Sequence, residues 1–195
     1  MRFGPDVVLN DPAFIHPSAQ IYGKVRIETG ASVWCNAVMR AEMFEIVVGA
    51  HSNIQDFAMI HIGDFTPTII GAHVSITHHC TIHGCTIGDN CLIGINATIA
   101  DGCVVGANSI VAGGSFLKEG TIVPPNSIVM GIPGKVVRQQ NNFVRCRLNA
   151  FMYSRIAQAY ARGEHRGWAD PDTIAAAAAE LKRLNAEFAA STGTA

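Results

Sequence analysis

Aliphatic residues recur every six positions through two thirds of the chain, and few folds accommodate that period. One run is Ile15, Ile21, Ile27, Val33 and Met39, and a second is Val48, Ile54 and Ile60. A third is Ile70, Ile76 and Ile82, and a fourth is Ile87, Ile93, Ile99, Val105, Val111 and Leu117. A period of six fits neither an α-helix nor a meander of hairpins. It is the signature of a hexapeptide β-helix, in which each hexad forms one flat side of a triangular coil. The aliphatic residue points into the prism. Small residues permit the corner, often a glycine directly after the aliphatic one, as in Ile87-Gly88 and Ile93-Gly94. Three hexads complete a coil, so residues about 18 apart stack on each other, neighbouring coils bury the core, and the ends need caps.

The register breaks twice, with a step of nine residues between Met39 and Val48 and of ten between Ile60 and Ile70. Both excesses predict loops leaving the prism, where sites are commonly built on a rigid scaffold. The repeat fades after Pro124-Pro125-Asn126, and Gly131-Ile132-Pro133-Gly134 is a turn-rich exit. Val144, Leu148, Phe151, Met152, Ile156 and Tyr160 then recur at three and four, which predicts an amphipathic helix from about Asn141 to Arg162. Asp170-Pro171 reads as an N-cap followed by proline at the first helical position, opening a second helix through Leu181, Leu184 and Phe188. The fold class is therefore mainly β: a left-handed parallel β-helix over residues 1–138, then a C-terminal α-helical extension over 139–195. Both helices are expected to pack along the solenoid.

Only 15% of residues are charged while 49% are hydrophobic, a balance that suits a chain burying surface against copies of itself. The net charge of −1, without any block of Lys or Arg, gives no purchase to nucleic acid or an anionic membrane. No apolar stretch approaches the roughly 18–20 residues of a membrane span. The segment from Met1 to Asn10 carries a proline and an aspartate where a signal peptide needs an apolar core, so a cytoplasmic location is expected. The six cysteines form no CxxC pair and read as buried fillers in a reducing compartment, with Cys85 nearest the histidine cluster.

His61 follows inward Ile60 and His83 follows inward Ile82, so both occupy the same place within their hexads. They lie 22 residues apart, one coil plus the four extra residues of the insert after His61. The two side chains should stack on successive coils, about 4.8 Å apart, and share one ion. His78 sits in the preceding hexad, on another side of the prism, and reaches the pair only from a neighbouring chain across a three-fold axis. A homotrimer with three shared sites follows. Its ligands would be three neutral imidazoles, a common zinc set that leaves a fourth position open. His79 is the rival for His78, but a neighbour on a strand faces the opposite way. His16, His51, His73 and His165 lack such companions.

Arg40-Ala41-Glu42, Asn53-Ile54-Gln55-Asp56, His61, and His78 through His83-Gly84-Cys85-Thr86-Ile87-Gly88 resemble the motifs of the γ-class carbonic anhydrases in order and spacing. The exit from Val123-Pro124-Pro125-Asn126-Ser127 to Gly131-Ile132-Pro133-Gly134 is similar too, though other hexapeptide-repeat proteins share it, and the resemblance covers about residues 10–138. It implies reversible hydration of CO2 to bicarbonate by a metal-bound hydroxide at a trimer interface. The metal would be zinc, or iron or cobalt, on His61 and His83 of one subunit and His78 of the next. Gln55 would match a glutamine that orients the metal's water, with Asn53 near it. Arg40 and Asp56 would match residues that pair between subunits and help hold bicarbonate. Two departures stand out: Glu42 replaces an aspartate, and the acidic residues that active members carry near the site for proton transfer have no clear counterpart. Met43 follows Glu42, and Asp64, three residues after His61, is a weak stand-in. Phe44, Met59 or Phe65 are candidates to line a CO2 pocket. Three other functions compete: a metal-dependent acyl or thioester hydrolase of the same fold, a hexapeptide acyltransferase using one histidine as base, and a silent trimeric scaffold.

Overall fold

The computed structural model describes residues 3–193; the outermost positions of the two expected domains, 1–2 and 194–195, lie outside the described residues. The chain is a left-handed parallel β-helix of about seven turns followed by two helices. The prism has three faces. The first stacks Phe14–Ile15, Ser32–Val33, Asn53–Ile54, Ser75–Ile76, Leu92–Ile93, Ile110–Val111 and Ser127–Gly131, and an antiparallel strand, Gly134–Gln139, closes it. The second carries Met59–His61, Thr81–His83, Thr98–Ile99 and Phe116–Leu117. The third carries Thr68–Ile70, Thr86–Ile87, Val104–Val105 and Ile122–Val123.

Along the second face Ile21, Met39, Ile60, Ile82, Ile99 and Leu117 stack in register. On the third, Ile27, Val48, Ile70, Ile87, Val105 and Val123 do the same. On the first, Val33, Ile54, Ile76, Ile93, Val111 and Val129 complete the set. All of these side chains are buried. The hexad reading of the core is thereby confirmed.

One of the two expected loops is absent. Val38–Val48 is a single strand that crosses a corner and pairs with the long strand Gln20–Ile27, the register shifting between Gly23 and Val25. The extra residues are absorbed as a bulge that turns Glu42 and Met43 outward instead of breaking the ladder. A side chain at Gly23 would meet the Ala41 carbonyl oxygen at 1.9 Å, so only glycine lets the two strands cross here. The second excess does leave the prism, as a turn closed by Gly63 N–H donating to the Thr66 carbonyl at 2.9 Å. The corners use asparagine and histidine as much as glycine. Asn36, Asn90, Asn96, Asn108, His51, His73 and His79 all have φ between 55° and 60°, a region these side chains tolerate better than most.

Helix α1 (Phe143–Ala161) lies on the first face, and helix α2 (Pro171–Thr192) packs on α1. The side of α1 that sinks deepest is small: Cys146, Ala150 and Ala157 are fully buried with Ile156, which brings the helix close to the sheet. Trp34, on the first face, is held by Tyr153 and Tyr160 of α1 and by Phe14. Asp170 caps α2 as expected, its carboxylate accepting from the Asp172 and Thr173 backbone N–H groups. No described helix is long and apolar enough to cross a membrane. Five of the six cysteines are buried and all are free. Cys85 points into the prism, away from the histidines, and burial pushes its thiol far above the ordinary range.

Two outcomes follow. Ile93, stacked between Ile76 and Val111 with no exposed surface, should cost about 2–5 kcal/mol on truncation to alanine, read by urea unfolding. His73 stacks on His51 in a cavity of about 250 Å³ lined also by Arg147, Phe151, Ser154 and Glu180. Burial, then the charges of Arg147 and His51, lower its pKa from 6.5 to about 4, against the opposing pull of Asp89 and Glu180. The folded state thus resists a proton that the unfolded chain takes first. Stability should fall as pH drops from about 6.5 to about 4, and less steeply in His73→Asn, which keeps the left-handed backbone. Thermal melts across that range decide it.

Candidate metal centre

The strands of the second face place one outward residue directly after each inward one, and these form a row. Arg40, His61 and His83 are register partners on successive coils. The imidazoles lie 4.9 Å apart between ring centres. His61 Nδ1 and His83 Nε2 are 2.9 Å apart, within hydrogen-bond distance. At one end of the row Glu42 Oε2 meets His61 Nε2 at 3.1 Å while Oε1 accepts from Arg40. At the other end Asp101 accepts from His83 Nδ1. Desolvation would raise the pKa of Glu42; hydrogen bonds to its backbone, to His61 and to Arg40 overcome it and hold the carboxyl below the ordinary range.

A second group occupies the corner between the first and second faces. His78 is not on a strand: it sits in the turn after Ser75–Ile76, and its Nδ1 meets Asp56 Oδ2 at 3.0 Å. His79, at φ 59°, stacks flat on Phe57 and takes no part. The two neighbours diverge because the corner turns the backbone, not because a pleat alternates. Beside them Gln55 Nε2 donates to Asn53 Oδ1 at 2.8 Å, and Asn53 Nδ2 donates to Ser75 Oγ at 2.9 Å. Gln55 Oε1 is buried with no hydrogen-bond partner. Tyr153 of α1 faces the same corner. Burial and the charge of Asp56 raise its hydroxyl to about 12.

The chain therefore brings His61 and His83 together and keeps His78 apart. Among the described residues no three His, Cys, Asp or Glu side chains converge on one metal position within a single chain. Arg40 and Asp56 are not joined either, since Arg40 binds Glu42 and Asp56 binds His78. Of the residues suggested for a CO2 pocket, Phe44 packs instead beside Val8, Val25 and Arg26, and Phe65 is 87% exposed. Glu42 and Asp101 were not foreseen as partners of the pair. Asp101 lies on the next coil from His83, one residue past Ala100, the position that follows inward Ile99 as His83 follows Ile82.

The donor set fits a divalent cation. Three hydrogen bonds run from Glu42 through His61 and His83 to Asp101. Glu42 and Asp101 engage the outer nitrogens of the pair, so His61 Nδ1 and His83 Nε2 are the nitrogens left for a metal ion, and imidazole nitrogens backed by carboxylates are a common donor set for zinc.

Residues 84–119 match the family model described as bacterial transferase hexapeptide (six repeats). A protein of Methanocaldococcus jannaschii described as a probable carbonic anhydrase is 53% identical over 146 residues, covering 74% of this chain and 92% of that one. The chain belongs to the γ-carbonic anhydrase family. The mitochondrial γ-carbonic anhydrase 3 of Arabidopsis thaliana is 46% identical over 157 residues, 76% of this chain and 61% of the plant protein, so the chain spans less than two thirds of that relative. Among solved structures, a hexapeptide transferase family protein from Anaplasma phagocytophilum superposes with a TM-score of 0.75. It is 32% identical, and the match covers 79% of this chain and 92% of that one.

Proposed function

We propose that this family member is a carbonic anhydrase-like enzyme that interconverts CO2 and bicarbonate with a zinc ion held at the seams of a homotrimer. The observation that carries it is the in-register pair His61 and His83, linked at 2.9 Å and flanked by two carboxylates, with His78 on the opposite edge of the same face. His78 and His83 belong to one coil, and Asp56 and His61 to the one before. A three-fold axis parallel to the prism preserves height along it. Rotation then carries His78 of the partner subunit to the level of His83 and Asp56 of the partner subunit to the level of His61, one coil from Arg40.

Zinc bound there supplies a Lewis acid that makes hydroxide available near neutral pH. The chain's own groups do the rest. Gln55 Oε1, buried and unpaired, is an acceptor able to hold the hydrogen of a water at the seam. Asn53 fixes the Gln55 amide, and Ser75 fixes Asn53. Arg40 lies next to His61 in the row and supplies positive charge for bicarbonate, Glu42 keeping its guanidinium in place.

Zinc-replete protein should sediment as a trimer, carry one zinc per chain and accelerate CO2 hydration in stopped-flow measurements. His78→Ala and His83→Ala should each lose the metal with unchanged circular dichroism. Mixing the two after unfolding and refolding should restore zinc to about a quarter of the seams by random assortment, because each mutant supplies what the other lacks. Stoichiometric zinc in His78→Ala alone, or a monomer in solution, would refute the shared site.

A further inference from the structure

The geometry points to Asp101 as the positioning residue that sets the tautomer of His83 and aims its ring; the link to metal rests on the function proposed above. An ionised carboxylate only accepts hydrogen bonds, so the proton between Asp101 and His83 belongs to His83 Nδ1. That leaves Nε2 with its lone pair, and Nε2 is the nitrogen that faces His61 Nδ1 at 2.9 Å. Without Asp101 a neutral imidazole could carry its proton on either nitrogen, and the population protonated on Nε2 would present N–H where a ligand is needed.

The niche that holds this carboxylate is built from three coils. Gly63 lies two residues after His61 in the insert, Gly84 directly follows His83, and Asp101 lies one coil on. A methyl group at Gly84 would lie 2.7 Å from Asp101 Oδ1 and 2.8 Å from the Gly63 Cα, and one at Gly63 would lie 2.9 Å from Asp101 Oδ2. No side chain fits at either place without displacing the carboxylate. Thr66 Oγ1 donates to the Gly84 carbonyl at 3.0 Å and so ties the insert to the next coil. Gly102 N–H donates to the same carbonyl at 2.8 Å, holding the coil of Asp101 against it. The insert of extra residues after His61 therefore has a use beyond exposing a loop: its glycine forms one wall of the niche. His61 and His78 also meet carboxylates, Glu42 and Asp56, but the two glycines that make room for Asp101 belong to the niche beside His83.

The test joins two readouts on the full-length protein. In metal-free parent protein, long-range 15N–1H NMR correlations of the His83 ring should show the Nδ1–H tautomer, and Asp101→Ala should show a mixture. Zinc affinity, read by competition with a chromophoric chelator, should fall about 10–100-fold in Asp101→Ala. It should fall less in Asp101→Asn, whose Oδ1 still accepts from Nδ1–H, with thermal unfolding of the asparagine variant unchanged. A parent His83 protonated on Nε2, or an Asp101→Ala protein that keeps both the parent tautomer and the parent zinc affinity, overturns the assignment. Parent protein that takes up no zinc instead refutes the shared metal site, and the tautomer, which needs neither metal nor a variant, then decides for or against Asp101 by itself.

Discussion

Everything in the molecule depends on the coils stacking in register. Successive turns lie about 4.8 Å apart along the axis, and each inward aliphatic residue rests on the one before it, as Ile82 does on Ile60 and Ile99 on Ile82. A slip of one residue on any face would turn the aliphatic row outward and the histidines inward. Each such side chain is worth about 1.5–3 kcal/mol of burial, and the penalty recurs on every coil. The outward positions are therefore fixed by what lies beneath them. Arg40, His61 and His83 can stand one above another, crowded and partly positive, because none of them has to hold its own place. A loop could not impose that arrangement on groups with so little attraction for each other.

The same constraint decides how much was legible in the sequence. Period six made the solenoid and its three rows readable, and the pairing of His61 with His83 followed from counting coils through the insert. Counting failed where the chain departs from hexads without leaving the sheet. The nine-residue step after Met39 looked like a loop and is a bulged strand, because a ladder that keeps its hydrogen bonds costs less than one that is broken. Asp101 was missed because it sits one residue past Ala100, the position that follows inward Ile99 as His83 follows Ile82, and attention to histidines alone ignores the carboxylates that orient them. The deeply buried side of α1 was misjudged for another reason. Large apolar residues mark where a helix is amphipathic, but close approach to a flat sheet selects Cys146, Ala150 and Ala157, which carry no strong hydrophobic signal.

A single chain leaves this design unfinished. Gln55 Oε1 is buried without a donor, an arrangement that costs about 1–3 kcal/mol when nothing compensates it. Phe57 and Ile95, at the corner that carries Asp56 and His78, are each about half exposed, and Phe116 on the second face is 37% exposed. The polar groups of this corner and those of the opposite edge complement each other in kind. One edge offers a guanidinium and a pair of imidazoles, the other a carboxylate, a further imidazole and an unpaired carbonyl oxygen. The homotrimer proposed above, built on a three-fold axis parallel to the prism, would answer the apolar surface and the polar groups with one contact, because such a rotation preserves coil height.

The substitution of Glu42 for the aspartate of the family pattern fits this economy of charge. Glu42 lies on the outward bulge between Met39 and Val48, further from the row than a residue on a straight strand would be. The additional methylene returns the carboxylate to the row, where one oxygen takes Arg40 and the other meets His61 Nε2 at 3.1 Å. The outer nitrogen of each imidazole is thus engaged by a carboxylate, Glu42 on one side and Asp101 on the other. What remains to the histidines is the pair of inner nitrogens, His61 Nδ1 and His83 Nε2, which face each other at 2.9 Å. The two carboxylates flank these nitrogens from positions fixed by the solenoid itself, Glu42 on the coil before His61 and Asp101 on the coil after His83.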